Sequence, residues 1–448
     1  MKAIIHQLVT RPTFSRAFEL GKLVTITGSM QAIVQIVGFL SGILVIRLLP
    51  TSEYAIYILA NTMLGTMTVL ADGGISTGVM AQGGKVWHNP AKLGAVLATG
   101  LDLRSKFAIV SLIVAIPVMI YLMRVHDATW VMSLVVVLAI VPAFFSALSG
   151  SLLQIPPKLA QDVTSLQRTL VQSNLLRLML IGPALFVFPF AYVAVLAGGL
   201  PQIWANIRFR RIASAYADWK QRPDVFIRRE LMVFIKRIFP GAIYFCVSGQ
   251  ISIWLISIFG ATAALAQVGA LARLAMILTL FTTMFNILIV PRFARLEENR
   301  RLLVDRYIKI QLILVVVSVS MVTIVWLFPD QVLWILGSKY NHLKDELVLC
   351  FIGTCLNLFV GINYGLNASR GWLLHPAIGI AGGIAGIICG VLLIDISTIK
   401  GVLWFNMFTG VVGLFIHPLY GIIKLLGTKV ERLSTHTVGI QKHKPPVG

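Results

Sequence analysis

The sequence predicts an all-α integral membrane protein, with twelve transmembrane helices in two six-helix lobes related by a pseudo-two-fold axis along the membrane normal. Three observations point there. Only 12% of the 448 residues are charged, against roughly 25% in a soluble domain. The mean hydropathy is +0.87. The apolar residues gather into twelve stretches, and the longest polar interval between them follows the sixth.

A bilayer core ~30 Å thick takes about 20 helical residues rising ~1.5 Å each. Stretches of that order run at 23–46, 53–80, 105–123, 130–153, 165–187 and 189–207, then at 240–260, 263–291, 308–328, 345–368, 372–394 and 399–423. The first carries Gln31 and Gln35 four apart, on one helical face. The second follows a short turn flanked by Arg47 and Glu53, and it contains Asp72-Gly73-Gly74, a helix-breaking sequence. The fifth holds Arg177 near its middle, and its separation from the sixth is the least sharp. The eighth holds Arg273, about 14 Å from its outer end. The tenth sets Asn363 and Asn367 four apart, and the eleventh spaces Gly379, Gly382, Gly383, Gly386 and Gly390 as a packing face. His375 and His417 each precede a proline and read as neighbours of helix kinks. The domain boundaries expected are 1–207 and 239–428 for the lobes, 208–238 for a basic linker and 429–448 for a polar tail.

Orientation follows from the basic residues. With the N-terminus inside, 31 of the 38 Lys and Arg fall in inner segments and five in outer loops, so both termini are expected in the cytoplasm. The net charge of +21 therefore reflects membrane topology, and nucleic acid is not an expected partner. The four cysteines all lie in apolar segments without Cys-x-x-Cys spacing, which argues against disulfides and zinc. The charged segment before the first span lacks a short apolar run with a small-residue cleavage site, so a cleavable leader is not expected there. No catalytic motif or nucleotide-binding loop is present and the outer loops are short, so the chain is not expected to be an enzyme. Within the linker, 224–239 alternates apolar pairs with Arg228, Arg229, Lys236 and Arg237. Two readings stay open: a helix lying against anionic membrane lipid, or an ordinary basic connection.

A shift of 212 residues places EYAIYILA (53–60) over LAQVGALA (265–272), which suggests a tandem repeat of six spans. An even number of spans makes the repeats parallel, an arrangement that suits two bundles flanking a central cavity and alternating access.

The segment LLPTSEYAIYILANTMLGTMTVLADGGISTGVMA (48–81) resembles the second-span signature of the polysaccharide-export branch of the MOP superfamily, the Wzx-type O-antigen and exopolysaccharide flippases, through Tyr54-Ala55-Ile56-Tyr57 and Asp72-Gly73-Gly74. FPDQVLWILGSKY (328–340) is similar to that family's outer segment after the ninth span, with Pro329, Gly337, Lys339 and Tyr340 in place. The resemblance implies a MOP/MATE-like fold with a cationic cavity. It implies a carrier of a polyprenyl-diphosphate-linked oligosaccharide from the cytoplasmic to the outer leaflet of a bacterial inner membrane, with polymerase and chain-length machinery as partners. Rival readings are a drug or metabolite/cation antiporter, which would want acids in its lumen, and a polysaccharide polymerase or ligase.

Charges at bilayer depth are costly and are expected to face a cavity. Arg273 and Arg177 are the candidates for the diphosphate, because a guanidinium presents a planar fork to phosphate oxygens. Amides are numerous within spans; Gln31, Gln35, Asn61, Gln250, Asn286, Asn363 and Asn367 are the candidates for a polar lumen, and Asn174, Asn357 and Asn406 are further amides at that depth. Asp72, the one acid within a span, is a candidate for H⁺ or Na⁺ coupling, and Arg47 with Glu53 for an outer gate. No other cofactor is expected.

Overall fold

The computed structural model describes residues 12–297, 299–372 and 376–427, so His375 and the tail at 429–448 lie outside the described residues. Helices occupy all twelve expected positions. In the first half they are α1 (Pro12–Leu48), α2 (Thr51–Asp72) with α3 (Ile75–Val86), α4 (Pro90–Val125), α5 (Trp130–Leu153) with the short α6 (Ile155–Leu159), α7 (Val163–Val187) and α8 (Ala191–Ala213). In the second half they are α9 (Val225–Phe259), α10 (Thr262–Ala275) with α11 (Leu278–Leu288) and α12 (Val290–Ala294), α13 (Arg300–Leu327), the short α14 (Pro329–Trp334), α15 (Lys344–Ser369), α16 (Pro376–Leu393) and α17 (Ile399–Gly427). Nine of the described helices are long and apolar enough to cross a membrane singly, and the pair α10–α11, bent by 43°, makes a tenth. The other two positions are filled by α8, whose last turns carry Arg208, Arg210 and Arg211, and by the shorter α16.

Each half is a bundle. In the first, α1 packs on α7, α5 on α8 and α2 on α4; in the second, α15 packs on α17 and α13 on α15. Helix α16 approaches α17 closely because Gly382, Gly386 and Gly390 leave room for Ile416, Val412 and Phe405, the small-residue packing expected there. Exposed apolar side chains such as Val131, Met179 and Leu393 cover the outside of both bundles, as a lipid-facing surface requires.

The helix break at Asp72-Gly73-Gly74 is real. Gly73 and Gly74 adopt φ of +49° and +92°, and a Cβ on Gly73 would stand 3.0 Å from Phe239. Left-handed backbone and a near neighbour together favour glycine at that position.

The halves meet through α9 and α10, which pack on α2. Ile58 of α2 lies against Gly269 of α10, so the two segments superposed by the 212-residue shift face one another. A two-fold axis between the halves brings equivalent helices together in this way. Helix α9 departs from the expected boundary at residue 238. Its first turns, within the presumed linker, are continuous with the span that follows. They bury Leu231 and Ile235 among Ile75, Val79, Leu97 and Leu103 of the first half. Leu231 and Ile235 thus cover protein while Val225, Phe226 and Val233 stay exposed, and Arg228 pairs with Asp102.

Candidate functional site

A cavity of about 880 Å³ lies between the halves, walled by α1, α2 and α7 on one side and by α9, α10, α15 and α17 on the other. Its charged lining residues, among those described, are Arg177 and Arg273; no acid lines it. Arg177 extends from α7, and Gly198 of α8 leaves space beside it, since a Cβ there would stand 3.7 Å from its Nε. Arg273 extends from the last turn of α10 and donates from Nη2 to the Gly38 carbonyl of α1 at 3.1 Å. The Nε of each arginine is buried without a partner. Unspent donors in a water-sized space suit an anion rich in acceptor oxygens. A side chamber of about 160 Å³ shares Tyr57, Asn61 and Arg177 with the main cavity.

Gln35, Asn61 and Gln250 line the cavity, together with Asn174, Asn357 and Asn406, which the sequence did not single out as lumenal. Asn61, Asn174 and Asn357 share a feature. Each donates its amide nitrogen to the carbonyl four residues earlier in its own helix, at 2.9 Å in all three cases. Their side-chain oxygens are left over as acceptors for hydroxyl donors. Tyr54, Tyr57, Thr62 and Thr354 add hydroxyls to the wall. The two tyrosines belong to the segment that carried the family resemblance.

The other expected lumenal amides are placed elsewhere. Asn363 is fully buried inside the second half, bonded to the Tyr307 hydroxyl at 2.5 Å and to Gln311 at 2.7 Å. Asn367 donates to the His417 carbonyl at 2.9 Å. Both tie helices together, which satisfies an amide in an apolar interior. Asn286 packs beside Gly365, and Gln31 is outside the cavity wall.

Asp72 does not meet Arg273. It is ion-paired with Arg104 of α4 and accepts from the Ser76 hydroxyl at 2.7 Å, away from the cavity lining. Arg104 also reaches the Leu148 carbonyl and Ser151. Although it is one of the 31 basic residues assigned to inner segments, it is 2% exposed.

Arg47 and Glu53 do not pair with each other. Glu53 accepts from the Ala191 amide at 2.8 Å, at the start of α8. Arg47 crosses to the second half, where it donates to the carbonyls of Trp334 and Ile335 at 2.5 and 2.9 Å and stacks on the Trp334 ring. In return, Lys339 donates to the Leu49 carbonyl of the first half at 2.8 Å. Each cation sits at the C-terminal end of a helix in the opposite half, where the dipole is negative, and Arg47 shares the Trp334 carbonyl with the Gly337 amide. His126 of the first half meets Thr262 of the second at 3.1 Å on the same end of the bundle. These contacts form a clasp at the end opposite the basic segments, termed the far end below.

No family model matches the sequence, and no curated protein matches it. Solved structures do share the fold. The inward-facing conformation of a multidrug resistance MATE family transporter of the MOP superfamily superposes with a TM-score of 0.67 at 14% identity, covering 90% of this chain and 98% of that one. An outward-facing conformation of such a transporter gives 0.59 at 14% identity, covering 90% and 94%. A MOP superfamily transporter from Pyrococcus furiosus, described by a reversed polarity of its binding pocket that suggests a different function, gives 0.56 at 15% identity, covering 90% and 94%. The chain is a multi-pass membrane protein with the twelve-helix, two-lobe fold of the MOP superfamily transporters.

Proposed function

We propose that the protein is a secondary carrier that flips a polyprenyl-diphosphate-linked oligosaccharide across a bacterial inner membrane by alternating access. The observation that carries this reading is the charge of the central cavity, where Arg177 and Arg273 stand without an acid among the lining residues. A diphosphate supplies the counter-charge, and the amide oxygens of Asn61, Asn174 and Asn357 suit sugar hydroxyls. A MATE-like antiporter of drugs or metabolites fits the fold equally well. Cationic cargo, however, would leave both arginines unpaired beside it, at a cost of several kcal/mol for each uncompensated charge.

With the basic end in the cytoplasm, export moves about two negative charges away from a negative interior. The potential then supplies about 4–5 kcal/mol per 100 mV. Asp72, engaged by Arg104, is spoken for as a cation site in this conformation, so the potential is the simpler driving force. Assembly partners would be the polymerase and chain-length machinery acting on the outer leaflet.

The test is deletion in the native host. Intact lipid-linked glycan should accumulate in the inner leaflet, rescued by wild type and at least about tenfold less by R273A or R177A at equal protein level, since each removes a charge-assisted contact. Unpolymerised glycan on the outer leaflet would move the reading to a polymerase or ligase, and the absence of any glycan phenotype would move it to an antiporter.

A further inference from the structure

Arg273 belongs to the second half of the chain, yet its guanidinium is lodged in the first. Its Nη2 bonds the Gly38 carbonyl of α1 at 3.1 Å, and its side chain fills the space that Gly42 leaves one turn further along. A Cβ at position 42 would coincide with the guanidinium itself. Gly42 therefore leaves a notch filled by one side chain from the opposite half, with the Gly38 carbonyl at its edge, while the space beside the Gly38 Cα itself is open. Gly42 lies six residues from the end of α1, about 9 Å from the far end at the helical rise. The notch is thus on the cavity wall, on the side toward the clasp.

We propose that Arg273 is a load-sensitive tether: in the empty carrier it pins the two halves together on the Gly38–Gly42 notch, and the anionic group of the cargo draws it away. The proposal rests on the reading of the cavity as an anion site. A carbonyl in mid-helix already accepts from the amide four residues on, so Gly38 offers Arg273 a second lone pair on a neutral oxygen. A diphosphate offers charged oxygens that a guanidinium holds with two parallel bonds, which is the stronger partner. The free Nε of Arg273 is available for the second of these bonds. When the guanidinium turns to the cargo, the halves lose a contact on the far side of the cavity. The empty carrier thus keeps its far end shut, and loading loosens it. This ordering prevents unproductive cycling without any separate sensor.

The test reads the distance between the halves at the far end. Spin labels are placed by Phe188→Cys and Leu393→Cys, at side chains 56% and 76% exposed, after replacement of the four native cysteines in the full chain held in bilayer discs. The probe is a polyprenyl diphosphate. Wild type should show a short distance when empty, and the long component should rise about tenfold on adding the probe, as loss of one charged hydrogen bond implies. G42A, which evicts Arg273 from the notch, should show the long component when empty while still binding the probe. R273A should show it when empty and bind no probe; it gives the same reading of the tether should G42A fail to insert. Empty distances equal to wild type in both variants would overturn the tether, whatever binds. Failure of wild type to bind the probe would overturn the anion reading and with it the release step.

Discussion

Arg104 shows how much a single charge depends on what surrounds it. Its guanidinium is spent on Asp72, Ser76, Ser151 and the Leu148 carbonyl, and only its Nε lacks a partner. Truncating one partner of a buried pair strands the other, at a cost of about 3–5 kcal/mol. Asp72 keeps 27% of its side chain exposed, which places Arg104→Ala near the lower bound, about 3 kcal/mol. The expected outcome is a lowered midpoint of thermal unfolding in detergent. A double variant, Arg104→Met with Asp72→Asn, should recover most of the loss, because neither charge is then stranded. At this scale the sequence was only partly legible. A basic residue near the start of an apolar stretch reads as a solvated headgroup neighbour, and Arg104 is buried because α4 begins at Pro90, well before the apolar run. The amides divide for a related reason: periodicity shows that Asn363 and Asn367 share a face but not what that face meets.

At the scale of elements, α9 joins the two halves in one continuous helix. Its first turns are anchored by Leu231 and Ile235, both fully buried or nearly so, and by Arg228 on Asp102. A continuous helix fixed at one end to the first bundle and running as a span of the second, with Pro240 between the two parts, offers a pivot at the basic end. Leu231→Ala should cost about 2–5 kcal/mol through a lost contact and a residual cavity. Limited proteolysis of the 214–224 connection would report it as faster cleavage. The twelve spans were legible because hydropathy over about 20 residues is a strong signal. The docking of 225–239 was not. An amphipathic stretch shows the same alternation whether its apolar face meets lipid or a neighbouring bundle, and only the positions of Ile75, Val79 and Leu97 decide.

For the molecule as a whole, the clasp sets how readily the far end opens. Arg47→Ala and Lys339→Ala should each raise the open population at the far end, and together by about the product of the single effects if the two contacts act independently. Distances between spin labels at Phe188→Cys and Leu393→Cys would measure it. His126 adds a dependence on pH. Burial pushes its imidazole pKa below the ordinary 6.5, against the opposing pull of the Ser257 backbone and of neighbouring Asp127. Charging the ring therefore costs the clasped state more than the open one. Clasping is strongest above pH 6.5 and weakens as pH falls from there through the lowered pKa. His126→Asn should flatten that dependence between pH 7 and pH 5.

The two cations of the clasp, Arg47 and Lys339, donate to main-chain oxygens of Leu49, Trp334 and Ile335. Every residue type supplies a carbonyl, so the receiving half of each contact leaves no trace in the side chains that supply it. Over evolutionary time, positions 49 and 335 are free to drift among apolar residues that keep the packing, while the cations at 47 and 339 are not. Covariation between the halves would then miss these hydrogen bonds, and the partner it could detect for Arg47 is the Trp334 ring stacked on it.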